Sequence, residues 1–81
     1  MNYNNIVPAT PYVIRKVAIN GTPDEAQDDW KQFDVEVKTS NPDHIGSYYL
    51  IDVFGDKDDL EALMEFDSVF DEEEIEVHHH G

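Results

Sequence analysis

At 81 residues and 9.3 kDa, the chain has room for one small domain and no second one. Nineteen Asp/Glu against five Lys/Arg leave a formal net charge of −14, which excludes unaided binding to DNA, RNA or an anionic membrane, since each needs a cationic footprint. With no cysteine there is no disulfide framework, thiol nucleophile or cysteine-based zinc site.

Residues 1–11 are polar, rich in asparagine and broken by Pro8 and Pro11, and read as an extended N-terminal arm. They lack the positive start and apolar run of a signal peptide. Residues 12–79 are expected to form a single α+β domain. Tyr12–Ile19 is dense in β-branched residues and predicts a strand, ended by Asn20–Gly21.

Thr22 opens a helix. Pro23 suits the first helical position and Glu25, three residues after Thr22, completes a T-x-x-E capping box. Ala26 and Trp30 share one face, and the helix is expected to end near Lys31 or Gln32. Phe33–Lys38 alternates, with Phe33, Val35 and Val37 on one side, so it predicts a strand. Ser40–Asp43 reads as a turn, and Gly46 ends that loop. Ser47–Phe54 is the next strand. Gly55–Asp56 breaks it, and a second helix runs to about Phe66 with Leu60, Leu63 and Met64 as its buried stripe. Glu73–His79 alternates again and predicts the last strand.

The order β-α-β-β-α-β predicts a small ferredoxin-like sandwich, a four-stranded antiparallel sheet with two short helices on one face. An α+β meander with another strand order stays open. The first and third strands of the ferredoxin-like order are central, so the face away from the helices would show Tyr48, Leu50 and Asp52. One of two alternating sets from the first strand would join them: Tyr12, Ile14 and Lys16, or Val13, Arg15 and Val17. Aromatics on central strands also form RNA-stacking platforms, but an acidic rim has the wrong sign for that. Tyr12, Ile14, Tyr48 and Leu50 are instead the candidate homodimer face, unless the N-terminal arm folds across it.

Charge is uneven. Residues 1–51 hold seven acids and four bases, while residues 52–81 hold twelve acids and only Lys57. The candidate partner-binding residues are Asp56, Asp58, Asp59, Glu61, Glu65, Asp71, Glu72, Glu73, Glu74 and Glu76. A helical i, i+4 pair such as Glu61 and Glu65 advances about 6 Å. A strand i, i+2 set such as Glu72, Glu74 and Glu76 advances about 6.8 Å per step. Both are near the phosphate spacing of an extended nucleic-acid strand (about twice the 3.4 Å rise). A charge of −14 also exceeds the magnitude of about 2 to 8 that serves solubility in a small domain.

Enzyme chemistry finds no foothold. There is no Ser-His-Asp pattern, glycine-rich phosphate loop or H-E-x-x-H helix. The acids around Asp52–Glu61 lack the EF-hand pattern, because Gly55 precedes them. His78–His80 reads as a retained tag or frayed tail rather than a metal site, and His44 as solvent-exposed. No enzyme, cofactor or dedicated metal site is expected. Trp30, Phe66 and Phe70 read as core or core-edge residues; exposed, Phe66 or Phe70 would anchor a contact, and Ser68–Val77 could add as a strand to a partner's sheet.

In size and composition the chain is similar to phage-encoded DNA mimics and anti-restriction or anti-defence inhibitors, and to acidic immunity proteins and antitoxins that neutralise nucleases. That resemblance transfers no residues. It implies a cytoplasmic inhibitor (host cytoplasm, if phage-encoded) that blocks the basic site of a nuclease, defence effector or transcription component, with no direct nucleic-acid or membrane contact. The alternative is a homodimeric structural or regulatory module using the tyrosine-bearing sheet face.

Overall fold

The computed structural model describes residues 12–77. The predicted N-terminal arm and His78–His80 lie outside the described residues. Four strands form one antiparallel sheet in the order β2-β3-β1-β4: β1 (Tyr12–Ile19), β2 (Glu36–Ile45), β3 (Tyr48–Gly55) and β4 (Glu76–Val77). Helices α1 (Pro23–Asp29) and α2 (Lys57–Phe66) deliver Ala26, Leu60 and Leu63 to the same core cluster as Ile14, Val17, Ile51 and Val53. Both helices therefore cover one face of the sheet.

Local signals explain the helices. Thr22 Oγ1 accepts from the Glu25 N–H at 3.2 Å, and Glu25 Oε1 accepts from the Thr22 N–H at 3.0 Å. This closes the capping box, which satisfies two otherwise orphaned amides. The chain then continues as a 3-10 turn over Lys31–Phe33, so Phe33 is not in a strand; Asp34 turns the chain in the left-handed region at φ 54°. Helix α2 buries its Leu60 and Leu63 stripe as the 3.6-residue period requires. At Gly55 a Cβ would crowd Val35 Cγ1 at 3.1 Å and meet Leu60 Cδ2 of α2 at an ordinary 3.6 Å.

Two bulges reshape the sheet. In β1, Ile14 pairs with Val53 but Val17 with Ile51, so Arg15 and Lys16 together oppose Asp52. Lys16 takes φ 57°, and its N–H donates to Asp52 Oδ1 at 3.0 Å. An inserted residue resets which way successive side chains point. Ile14, Val17 and Ile19 thereby all reach the helix-side core. In β2, Thr39 pairs with Ile51 and His44 with Tyr49, so the predicted Ser40–Asp43 turn is instead an outward arch within the strand, carrying a cis Asn41–Pro42 peptide. The hairpin turn lies at Gly46–Ser47, with Gly46 at φ 60°.

The last strand starts later than its alternation predicts. Phe70, fully buried, ends a 3-10 turn over Ser68–Phe70, and the Glu73 N–H bonds the Phe70 carbonyl at 3.0 Å. That turn keeps Glu73–Ile75 out of the sheet, so among the described residues Glu76 and Val77 pair with β1, opposite Val13 and Tyr12.

Candidate functional site

The predicted acids divide into three groups. Asp56 precedes α2, its carbonyl accepting from the Leu60 N–H at 2.9 Å. Asp58 and Asp59 lie in the first turn, where negative charge suits the helix dipole. Glu61 and Glu65 follow, exposed and one turn apart on the same helix. Four of these five acids lie on one helix, with Asp56 at its N-cap. Burial pushes the Asp59 carboxyl up, and repulsion from Asp34, Asp56 and Asp58 adds to it.

Asp71–Glu74 form the second group, in the connection to β4. Asp71 and Glu72 make a turn, and Glu73 is half-buried. Burial raises its carboxyl pKa, with the Glu72 charge contributing. Glu76 stands apart. It pairs with Val13 across the sheet and lies 3.8 Å from Arg15 Nε, on the face away from the helices. The expected strand ladder of Glu72, Glu74 and Glu76 does not form, because only Glu76 of the three is in a strand.

The candidate dimer face is also redistributed. Ile14 is fully buried in the helix-side core and Tyr12 packs against that core. Leu50 is buried as well, leaving Tyr48 the one exposed member at 48 %. The β1 bulge is the reason: neither alternating set of β1 stays on one face through it. The face away from the helices instead carries Val13 and Leu50, buried yet outside the helix-side cluster. The neighbouring arch is tied across to β1 by Lys16 Nζ, which donates to the Asn41 carbonyl at 2.8 Å. Arg15 sits 3.8 Å from Asp52, and Lys38 stands 5.8 Å over the Phe54 ring.

Charge thus separates by layer. The strands hold Arg15, Lys16 and Lys38 with only Glu36, Asp43, Asp52 and Glu76 as acids. Every other acid lies on the helices and their connections, with Lys31 and Lys57 the only cations there. The division by chain half missed Asp24, Glu25, Asp28 and Asp29 on α1 and Asp34 in the connection after it, while Asp67, in the acidic half, was not among the candidates. Their signal was present as the i, i+4 pairs Asp24–Asp28 and Glu25–Asp29.

Five contacts hold the acidic layer in place. Gln27 of α1 donates to the Val35 carbonyl at 2.9 Å and accepts from the Val37 N–H at 2.8 Å, hydrogen-bonding along the outer edge of β2 as a strand would. Asp67 accepts from Trp30 Nε1 and from the Val69 N–H, each at 3.1 Å. The Trp30 and Phe70 rings pack at 5.1 Å between centroids.

Among the described residues, no group of His, Asp and Glu side chains is placed to hold a metal ion, and no helix is long and apolar enough to cross a membrane. His44 Nδ1 bonds Asp43 Oδ1 at 2.8 Å, which holds the Asp43 carboxyl below its ordinary range. No family model, curated protein or solved structure matches the chain.

Proposed function

We propose that this protein is a non-enzymatic inhibitor that presents its helical layer as a substitute polyanion to the basic site of a nucleic-acid-acting protein. The observation that carries this reading is the separation of charge by layer, with the unbalanced acids on helices packed to a common core. Carboxylates on a packed element keep their spacing when a partner approaches, and a one-signed surface speeds encounter with a cationic groove. The pair Glu61 and Glu65, about 6 Å apart along α2, supports a match to successive phosphates. Asp58, three residues before Glu61, shares that face, while Asp56, Asp59 and Asp71–Glu74 add charge from the N-cap, another side of the helix and the connection to β4. We also propose the ferredoxin-like arrangement as the parent architecture; its support is that the strand order, read from the β4 edge, runs 4-1-3-2 with antiparallel neighbours throughout.

The test uses nuclease-treated cell lysate fractionated on heparin, with the basic fraction passed over the immobilised protein. The reading expects a retained protein that duplex DNA displaces and that is lost steeply as salt rises from about 0.05 to 0.2 M. Retention that ignores both salt and DNA would refute it, as would binding that requires intact nucleic acid.

A further inference from the structure

A groove of about 670 Å³ opens between the end of β1, helix α1 and the Ser68–Phe70 turn. Its apolar lining comes from Ile19, Trp30, Tyr48 and Val69, and continues at the hairpin end into Ile45, exposed at 60 % and paired with Tyr48. Ala18, Ile19, Asn20 and Gly21 line one wall in unbroken succession. On the side of β1 away from β3, β4 pairs only with Tyr12 and Val13. On that side, therefore, none of the described strands runs beside this end of β1.

The rim is negative. Asp28 and Asp29 stand on it, and the nearest cation to Asp28 is the exposed Lys31 at 3.5 Å, a surface pair of little strength. Glu25 and Asp67 add fixed charge, since both carboxylates are already hydrogen-bonded to the chain. We infer that this groove takes an extended segment of a basic partner protein, in which apolar side chains alternate with Lys or Arg. A strand laid beside β1 turns one set of side chains to Trp30 and Val69 on the helix side, and Lys or Arg of the other set is long enough to reach back over the edge to the acids of the rim. Tyr48 is the anchor of such a contact, as an aromatic between an apolar floor and a polar edge. A second copy of this chain is a poor occupant, because two surfaces of the same strong negative charge repel.

The inference rests on the inhibitor reading and places its contact on α1 and β1, not only on α2. Trp30 is the single tryptophan and reports the groove by fluorescence. The probe is a capped peptide of alternating leucine and arginine; a serine–arginine peptide of equal charge is the control. The groove predicts saturable change in Trp30 emission with the leucine–arginine peptide. Amide shifts in NMR should centre on Ala18–Thr22 and Asp67–Val69. Tyr48→Ser should weaken binding about tenfold, and Asp28→Asn with Asp29→Asn should flatten its salt dependence; circular dichroism checks that both variants fold. Equal binding by the serine–arginine peptide, shifts spread along α2, self-association through this face or no binding at all would each overturn it. Displacement of DNA from a basic protein by a chain whose groove binds nothing would sink the groove and spare the inhibitor reading. A filled groove without such displacement would sink only the latter.

Discussion

Replacing Gln27 tests whether α1 is fixed to the sheet or merely lies on it. The side chain is the only one seen bonding both Val35 and Val37, and α1 carries Asp24, Glu25, Asp28 and Asp29. Gln27→Ala deletes both hydrogen bonds. At about 0.5–1.5 kcal/mol for each neutral bond, the loss is about 1–3 kcal/mol, offset by a few tenths from alanine's better helix propensity. For a domain of this size each kcal/mol lowers Tm by about 4–8 °C. Gln27→Glu separates the two bonds. The introduced carboxylate still accepts from the Val37 N–H but turns an oxygen towards the Val35 carbonyl, so near neutral pH it should cost at least as much as alanine. Once protonated, the carboxyl can donate to Val35. Its folded pKa is therefore raised, and its deficit against the parent shrinks as pH falls through that pKa. Urea unfolding followed by Trp30 fluorescence gives the energies, and amide exchange at Val37 gives the local effect. Both variants within about 0.5 kcal/mol of the parent, with Val37 still protected, would refute the clamp.

Other outcomes follow from the same contacts. Phe70→Ala removes a fully buried ring packed on Trp30 and should cost about 3–5 kcal/mol, a large share of the roughly 4–12 kcal/mol expected of such a domain; a loss below about 1 kcal/mol in urea unfolding would show that Phe70 does not pin the acidic connection. The raised carboxyls of Asp59 and Glu73 bind protons more tightly when folded. They cost stability at neutral pH, and that cost is relieved as pH falls through their folded pKa values, so mild acidification should raise Tm. Asp34→Asn removes the largest charge contribution to Asp59 at a left-handed position that asparagine tolerates. It should raise Tm at neutral pH and lower the Asp59 pKa seen by NMR titration; an unchanged pKa would contradict the assignment. Asp43 has the opposite sign, and the stability linked to its His44 bond disappears only as pH falls through its lowered pKa.

What could be read from the chain beforehand was whatever depended on neighbours in sequence. The Thr22–Glu25 box, the Leu60 and Leu63 stripe and the central places of the first and third strands follow from short-range patterns and from the order of elements. The bulges did not show, because Arg15–Lys16 looks like two ordinary strand residues until Asp52 is set opposite them, and that contact is long-range. One inserted residue moved Tyr12 and Ile14 from the candidate dimer face to the core side. Within the predicted Glu73–His79 strand, alternation over Glu73–Ile75 misled for a related reason: burial of Phe70 outweighs the pattern and holds the following residues in a turn. For the candidate site, the acids of α2 were legible because they adjoin in sequence. Those of α1 left a similar local signal, but their place beside the acids of α2 did not show, since only packing on the shared core brings the two helices into the same layer.

The central claim is that position, not net charge, makes the helical layer act as a polyanion. Two variants with the same charge change test it most directly: Asp58→Asn with Glu61→Gln and Glu65→Gln, and Glu36→Gln with Asp43→Asn and Glu76→Gln. The measurement is displacement of duplex DNA from the captured basic protein, titrated at several salt concentrations. The first variant should lose potency and salt sensitivity while the second keeps both. Equal losses in the two would contradict it.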